Sequence, residues 1–380
     1  MKTPRSPAVY GRIRKILESA RTGLARTVNS TQVAANWLIG REIVEDEQRG
    51  KKRAGYGRKL LADLSLRMLK DFGRGYSVDN LEWFRGFYLC YPHLLGSEKP
   101  DAPRRISPTL EISDALRRIS PLDVALQTLK HTPPCLSWSP GFLHPNLSWT
   151  HYRRLVRVDQ AEARAFYEIE AIKNQWSARE LERQINSLLF ARLAKSRDKA
   201  GLIKLASRGH EIATPADIFK DPVVIEFLGL PESTRLVESD LETALINNLQ
   251  LFLLELGKGF AFLARQQRIT LDGDHFYIDL VFYHTLLKCY VLIDLKVGKL
   301  THNDLGQMQL YVNYFDQTRR TSGDNPTLGL ILCTDKNDAV VKYLLGPEQS
   351  KKIFTSRYKL HLPTEAELAS ELKREVLKFL

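Results

Sequence analysis

The chain has 380 residues, of which 43% are hydrophobic. This composition excludes a wholly disordered, collagen-like or coiled-coil protein, and the length predicts two or three domains at about 150 residues each. The 56 basic and 44 acidic residues give a formal charge of +12, which favours an anionic partner, nucleic acid before a membrane surface. The four cysteines lack metal-binding spacing and no apolar stretch is long enough to cross a bilayer, so we expect a cytoplasmic protein with no membrane partner.

Residues 1–95 carry most of the positive charge and are predicted to form a helical domain. They contain 18 basic and nine acidic residues. Apolar residues at helical spacing predict one helix within 8–40 and a second over 56–72. The charged stretch 41–50 is predicted to follow the first helix as a connection.

A glycine-rich turn at 73–76 separates the second helix from a third. Ser77 can cap this third helix, which must end by Pro92. Two helices joined by a tight turn predict a helix-turn-helix unit. A plain helical hairpin packed on its own core is the alternative.

The basic residues of this domain are candidates for holding a nucleic-acid backbone, because such contacts are made mainly by lysine and arginine. For the run Lys51–Arg53 the alternative is a solvated loop. The helices could also bind protein, in which case the positive charge would be incidental. The candidates are Arg12, Arg14, Lys15, Lys51, Lys52, Arg53, Arg58, Lys59 and Arg85.

Residues 96–146 contain eight of the 17 prolines, so we predict a linker or a loosely ordered insertion there. The second domain, 147–380, begins with helices. Capping boxes, in which a glutamate follows a serine by three residues, predict helices that begin after Ser177 and at Ser239. These helices are predicted to run unbroken to about residues 196 and 256, and a short helix is predicted from Pro222.

From residue 260 the hydrophobic period changes to alternation, which predicts strands. The predicted strands are 260–271, 275–284, 289–297, 327–333 and 353–361. Asp272-Gly273 is a hairpin turn signal between the first two, and helices are predicted after Gly298 and from Thr364. The order from Ser239 is therefore a helix, three antiparallel strands, a helix and a strand.

Alternation gives the second and third strands one apolar face and one charged face each. The charged faces carry Asp279 on the second strand and Asp294 with Lys296 on the third. If His284 pairs with Cys289 across the short connection, the same register places Asp279 directly opposite Asp294, with Cβ atoms about 4.5–5.5 Å apart. The apolar face of the second strand is predicted to consist of Phe276, Ile278, Leu280 and Phe282.

Two adjacent carboxylates repel each other unless a cation compensates them. Lys296 is one candidate, and Mg²⁺ or Mn²⁺ is another, because hard cations bind carboxylate and phosphate oxygens. Such an ion would polarise a phosphate and activate a water, while the lysine orients that water or stabilises developing charge. The alternative is an exposed sheet face with an ordinary salt bridge.

Three further residues are candidates for the same site. Glu242 on the preceding helix can supply a third metal-binding carboxylate, although its capping box with Ser239 is an equally good explanation. Gln307 and Tyr311 lie four residues apart, on one face of the next helix, and can reach the site. A core tyrosine with a solvated glutamine is the alternative for this pair.

At these residues the chain resembles the YhcG-type proteins, nucleases of the PD-(D/E)-x-K superfamily. The long stretches SDLETALINNLQLFLLELGKGFAFLARQQR and HFYIDLVFYHTLLKCYVLIDLKVGK carry the resemblance. It covers about 147–370 closely and extends to about 8–92. It implies a two-domain fold: an all-α, winged-helix-like N-terminal domain and an α+β, restriction-endonuclease-like core with αβββαβ order.

The resemblance also implies roles for individual residues. Asp279 is similar to the first aspartate of the motif, Asp294 and Lys296 to its (D/E)-x-K pair, and Glu242 to the glutamate of the first core helix. Gln307 and Tyr311 are similar to a Q-x-x-x-Y element. Many relatives have Glu where this chain has Asp294, which moves the ligand by roughly one bond.

The expected function is a metal-dependent nuclease that hydrolyses phosphodiester bonds in DNA, with RNA as an open alternative substrate. The oligomeric state is left open, with a homodimer as one alternative, because one active site that cuts both strands usually needs a second copy. The alternative is a non-catalytic or partner-dependent nucleic-acid-binding protein of a defence or restriction system.

Overall fold

A computed structural model describes residues 9–14, 16–17, 28–49, 54–95, 138–194, 199–230, 237–364 and 367. The chain divides into two compact units. The N-terminal unit comprises Met1–Glu182 and Ala206–Gly209, and the C-terminal unit comprises Arg183–Leu205 and His210–Leu380. Of the proline-rich segment 96–146, only 138–146 belongs to the described residues.

The described part of the N-terminal unit is helical. Its helices are α1 (Val28–Arg49), α2 (Ala54–Phe72), α3 (Val78–Cys90), α4 (Trp149–Leu155) and α5 (Ala161–Lys173), and residues 9–14 and 16–17 are also helical. Contrary to the prediction, the charged stretch after residue 40 continues α1. The reason is that the apolar period also continues, since Ile43 is buried in the same core as Ile39 and Val44 is also buried.

The turn between α2 and α3 agrees with the prediction. A 3₁₀ turn at Arg74–Tyr76 follows Gly73, whose φ of 88° is the conformation that favours glycine. Ser77 caps α3, and its hydroxyl accepts the backbone N–H of Asn80 at 3.3 Å. The pair α2–α3 thus has a tight connection, and its assignment as a DNA-binding helix-turn-helix stays a prediction.

Helices α4 and α5 belong to the N-terminal unit, so the division differs from the boundary expected at residue 147. Aromatic packing is the physical reason. The Trp149 ring lies 5.3 Å from the rings of both Phe84 and Phe87 in α3, and the Tyr152 ring lies 5.0 Å from Phe87. These contacts bury α4 against the core that α3 forms.

The C-terminal unit contains a six-stranded mixed sheet. The strands are β1 (Val223–Val224), β2 (Phe260–Leu271), β3 (Asp274–His284), β4 (Cys289–Lys299), β5 (Leu328–Asp335) and β6 (Ile353–Lys359), in the order β1-β6-β5-β4-β3-β2. Neighbours are antiparallel from β2 to β4 and parallel from β4 through β5 and β6 to β1. The predicted order of helix, three antiparallel strands, helix and strand is therefore present.

The remaining helices are α6 (Ala178–Asn186), α7 (Leu189–Ala194), α8 (Lys199–Arg208), α9 (Glu238–Asn247), α10 (Leu249–Leu256), α11 (His302–Thr318) and α12 (Asp338–Leu344). The two helices predicted to be unbroken are each divided, at Ser187–Leu188 and at Asn248. The helix predicted from Pro222 is wrong, because Val223 and Val224 instead pair with Tyr358 and Lys359 as strand β1. The C-terminal helix predicted from Thr364 lies almost entirely outside the described residues.

Two apolar layers cover the faces of the sheet. Helices α9 and α10 pack on one face through Leu241, Leu245 and Phe252. Helix α11 packs on the other through Met308 and Val312. Within the ranges that the structure describes, no helix has both the length and the hydrophobicity to cross a membrane.

Candidate active site

The β3–β4 hairpin has the predicted register. His284 pairs with Cys289, and the pairing continues to Leu280 with Ile293. The ladder ends there, one pair short of Asp279 and Asp294, so these residues are not a regular cross-strand pair. Instead, the backbone N–H of Leu295 donates a hydrogen bond to Asp279 Oδ2 at 2.7 Å. The Asp279 carboxylate thus occupies the point at which the ladder stops.

The predicted alternation of faces on β3 is wrong at the same point. Leu280 and Phe282 pack in the core under α9 and α10, as a shared face requires. Phe276 and Ile278 pack instead in the core under α11. The strand therefore rotates at Asp279, where it is no longer held in the ladder by β4. This rotation allows Asp279 to point towards α9.

Gln266 on β2 connects Asp279 to Glu242. Its Nε2 donates to Asp279 Oδ1 at 2.9 Å and to Glu242 Oε2 at 2.7 Å. Its φ is 46°, in the left-handed region that non-glycine residues rarely adopt and that is enriched at functional sites. No local sequence pattern distinguishes Gln266 from a solvated strand residue, so it is not among the predicted site residues.

Glu242 has this partner in place of the capping box that was its alternative explanation. Helix α9 begins at Glu238, its N-cap is Val237, and no side chain caps it. Ser239 lies inside the helix, so the capping box predicted there is wrong. Burial and, to a smaller extent, the charge of Asp279 raise the pKa of Glu242, and the hydrogen bond from Gln266 opposes them.

Asp294 and Lys296 form the second half of the site. Asp294 is 1% exposed, and its Oδ2 lies 3.1 Å from Lys296 Nζ. That oxygen nevertheless accepts no hydrogen bond of normal geometry in the described part of the chain. Lys296 Nζ also lies 3.6 Å from Glu238 Oε2, and Glu238 Oε1 accepts the N–H of Val297 at 3.2 Å. Glu238, like Gln266, is not among the site residues predicted from the sequence.

Electrostatics distinguish the two members of this pair. Burial and then the charge of Asp279 raise the pKa of Asp294 to about 7, although Lys296 opposes them. Burial alone would lower the pKa of Lys296, but Asp294, Glu238 and Asp279 together raise it to about 12. The surrounding carboxylates therefore favour the charged form of Lys296.

Gln307 and Tyr311 come together as predicted from their spacing on α11. Gln307 Nε2 donates to the Tyr311 hydroxyl at 2.5 Å, and that hydroxyl donates to the carbonyl oxygen of Tyr277 at 2.9 Å. Tyr311 has no exposed surface. Burial and the charge of Asp294 raise its pKa to about 12, so the hydroxyl stays protonated beside the site.

The carboxylates fit a magnesium ion that is held by few protein ligands. Mg²⁺ commonly takes one or two carboxylates and completes its shell with water and phosphate oxygens. Asp279 and Asp294 supply such oxygens, and the buried Asp294 Oδ2 lacks a hydrogen-bond donor. Glu242 reaches Asp279 only through Gln266. Accordingly, the described residues contain no group of three or more His, Cys, Asp or Glu side chains arranged to hold a metal.

The basic residues predicted to hold nucleic acid have varied surroundings. Arg12 forms ion pairs with Glu42 and, at 3.8 Å, with Asp46. Arg85 Nε lies 2.7 Å from Glu47 Oε2. The other candidates are either exposed, as Arg14 and Lys59 are, or outside the described side chains, as Lys15, Lys51, Lys52, Arg53 and Arg58 are. Their role in binding stays a prediction.

Comparisons with known proteins cover both units. Residues 216–374 match the YhcG PDDEXK nuclease domain, and residues 12–102 and 131–192 match the DUF1016 N-terminal domain. Over 371 residues the chain is 36% identical to the Escherichia coli (strain K12) protein named "Putative nuclease YhcG", with 96% of this chain and 93% of that protein covered. The crystal structure of a repair endonuclease from Pyrococcus abyssi matches 35% of this chain and 50% of its own at 17% identity. Its TM-score of 0.24 is too low to support a conclusion about the fold.

Proposed function

Because the chain belongs to the YhcG family, whose members carry a PDDEXK nuclease domain, we propose that it is a metal-dependent nuclease that hydrolyses phosphodiester bonds in DNA. One observation carries this proposal above the rest. Two carboxylates meet where the β3–β4 ladder ends, and a lysine ammonium lies 3.1 Å from the buried one. A salt bridge on an exposed sheet face, which was the alternative, does not account for an aspartate that is 1% exposed.

Each residue has a task that follows from its contacts. Asp279 and Asp294 hold Mg²⁺ or Mn²⁺, which when bound polarises the scissile phosphate and lowers the pKa of the attacking water. Gln266 and the N–H of Leu295 fix the orientation of the Asp279 carboxylate through its two oxygens. Lys296, whose Nζ lies 3.1 Å from Asp294 Oδ2, orients the attacking water or stabilises the negative charge that develops on the phosphate.

Gln307 and Tyr311 act on the site through the backbone. The Tyr311 hydroxyl holds the carbonyl of Tyr277, two residues from Asp279, and Gln307 fixes the hydroxyl in turn. We assign to this pair a positioning role for the rotated part of β3. Glu242 has a similar role, because it shares the Gln266 amide with Asp279.

The test is cleavage of plasmid and single-stranded DNA by the full-length protein in Mg²⁺ or Mn²⁺, compared with EDTA. Asp279→Asn and Lys296→Met should each lower the cleavage rate by at least about 100-fold, the usual effect of removing a group that stabilises transition-state charge. Asp272→Asn and Lys342→Met are matched controls, since both residues are exposed and Asn-Gly supports the same hairpin turn as Asp-Gly. The controls should cleave like the wild type.

Two results would contradict the proposal. Cleavage that persists in EDTA or in both site variants would mean that the reaction does not use these residues. A protein that binds DNA but cleaves none in either metal would favour the non-catalytic or partner-dependent alternative.

A further inference from the structure

The β2–β3 hairpin carries two arginines beside the candidate site. On β2, Arg265 pairs with Leu280 and Arg268 pairs with Tyr277. Leu280 packs under α9 and α10, whereas Ile269, the neighbour of Arg268, packs under α11. Both arginines are therefore on the α9 side of the sheet.

Regular alternation would place residues 265 and 268 on opposite faces. The positive φ of Gln266 interrupts the alternation of side chains between the two faces of β2, so Arg265 and Arg268 lie on the same face. The rotation at Asp279 has the same effect on β3. The two arginines consequently flank Gln266, which binds Asp279 at 2.9 Å.

Both arginines are exposed. In the part of the chain that the structure describes, neither has a carboxylate within ion-pair distance, and the charge of Arg265 acts on Glu242 from farther away. Arg12, Arg85 and Arg192, by contrast, all contact carboxylates. Exposed guanidinium groups beside a phosphodiester site match the charge and the bidentate geometry of phosphate.

An aromatic ring completes this surface. Tyr277 is directly opposite Arg268 in the β2–β3 register and is 47% exposed. Exposed aromatic rings next to arginines bind unpaired bases by stacking, whereas the bases of a duplex have no free face. At the β2–β3 turn, Asp272 and Asp274 are exposed and acidic, so the basic surface ends before the turn.

We propose that Arg265, Arg268 and Tyr277, here called the hairpin face, bind a single-stranded segment of DNA next to the scissile phosphate. The arginines hold phosphates on either side of the position of Asp279, and Tyr277 stacks on an unpaired base. This inference rests on the proposed nuclease function and adds to it a substrate class, DNA that is single-stranded at the site.

The experiment measures binding of a fluorescent single-stranded oligonucleotide and of its duplex to the full-length protein in EDTA, where cleavage cannot interfere, over a series of salt concentrations. The variants are Arg265→Gln with Arg268→Gln, Tyr277→Leu, and the conservative Tyr277→Phe. Arg319→Gln with Lys342→Gln is the matched control, because it removes the same total charge as the double arginine variant. Both residues are exposed; Arg319 caps the C-terminal end of α11, and Lys342 lies on α12.

Arg265→Gln with Arg268→Gln removes two phosphate contacts and should weaken single-strand binding. The slope of the logarithm of the binding constant against the logarithm of the salt concentration should become less negative by about 1.4, at about 0.7 per contact. Tyr277→Leu should weaken single-strand binding about 5- to 150-fold and leave duplex binding unchanged. Tyr277→Phe keeps the aromatic ring and should bind the single strand like the wild type. The inference is overturned if the hairpin variants bind like the wild type, if the control loses as much affinity, or if the wild type prefers the duplex.

Cleavage assays on the same proteins separate the two proposals. If the wild type cleaves DNA and the hairpin variants bind and cleave equally well, the hairpin face is wrong and the nuclease proposal stands. If binding depends on the hairpin face but neither Mg²⁺ nor Mn²⁺ supports cleavage, the nuclease proposal fails and the binding surface stands.

Discussion

Glu255 on α10 provides the sharpest prediction about the stability of the C-terminal unit. Its side chain has no exposed surface and is bound from three directions. Arg192 Nη1 donates to Oε1 at 2.5 Å, Arg183 Nη1 donates to Oε2 at 3.2 Å, and the N–H of Val224 donates to Oε1 at 3.0 Å. Glu255→Gln keeps the shape of the side chain but removes the charge that compensates the fully buried Arg192.

Two independent arguments give the size of the effect. Burial opposes the charge of Glu255, but Arg192, Lys220 and Arg183 outweigh it and lower its pKa from 4.5 to about 2. A difference of about 2.5 units corresponds to about 3 kcal/mol at neutral pH. Removing one partner of a buried ion pair typically costs about 3–5 kcal/mol. We therefore expect a loss of about 3 kcal/mol for Glu255→Gln at pH 7.

The sign of the pH dependence follows from the lowered pKa. The folded state binds its proton less readily than the unfolded state, so the stabilisation is complete above the unfolded value of 4.5. It is lost progressively as the pH falls from there through about 2. The difference between wild type and Glu255→Gln should therefore shrink as the pH is lowered from 5 to 3.

The assay must report on the C-terminal unit alone. All five tryptophans lie within Met1–Glu182, so their fluorescence reports on the N-terminal unit. Hydrogen exchange of a peptide that covers β4 reports on the sheet of the C-terminal unit. In Glu255→Gln the free energy of opening measured on β4 should fall by about 3 kcal/mol, while the tryptophan transition stays at the same urea concentration.

A double variant provides the control. Arg192→Met with Glu255→Met removes both charges of this ion pair, and Arg183 keeps its ion pair with Glu226 at 3.0 Å. The double variant should therefore be more stable than Glu255→Gln. A loss below about 1 kcal/mol in Glu255→Gln, or a double variant that is less stable than the single one, would refute the argument that an uncompensated buried charge is the cause.

Two further predictions concern other polar residues. Glu168 is 1% exposed, and burial raises its pKa to about 7, so its charging costs stability as the pH rises from 4.5 to 7. Glu168→Gln should raise the tryptophan-monitored stability at pH 8 by about 3 kcal/mol and leave it unchanged at pH 4; an equal change at both pH values would exclude this cause. Gln266→Gly fits the φ of 46° and removes both hydrogen bonds. It should lower kcat for DNA cleavage about tenfold without lowering Tm, whereas Gln267→Gly should not affect kcat.

Elements that depend on nearby residues could be predicted from the sequence. The cap at Ser77, the capping box of Ser177 with Glu180 and the hairpin turn at Asp272-Gly273 all involve partners within three or four residues. The β3–β4 register followed from the short connection alone. Strand β1 could not be predicted, because its two residues pair with β6 more than a hundred residues later.

The residues of the candidate site that depend on local patterns could likewise be predicted from the sequence, and the others could not. Its position on two adjacent strands follows from period-two alternation and a short turn, and this brought Asp279, Asp294 and Lys296 together. Gln266 and Glu238 could not be found in this way. The contact of Gln266 with Asp279 occurs where Gln266 has a positive φ, which no local pattern predicts. Glu238 contacts Lys296 from the first residue of α9, whereas the sequence predicted that this helix begins at Ser239.

The end of the ladder also explains why the two aspartates differ. Asp279 is partly exposed, and both of its oxygens accept hydrogen bonds, so its orientation is fixed before any substrate arrives. Asp294 is buried, its Oδ2 lies 3.1 Å from the Lys296 ammonium, and that oxygen accepts no hydrogen bond within the described ranges. The site therefore contains one carboxylate with a fixed orientation, Asp279, and one buried carboxylate with an oxygen that accepts no hydrogen bond, Asp294. Together they favour the binding of a cation at this point of the sheet.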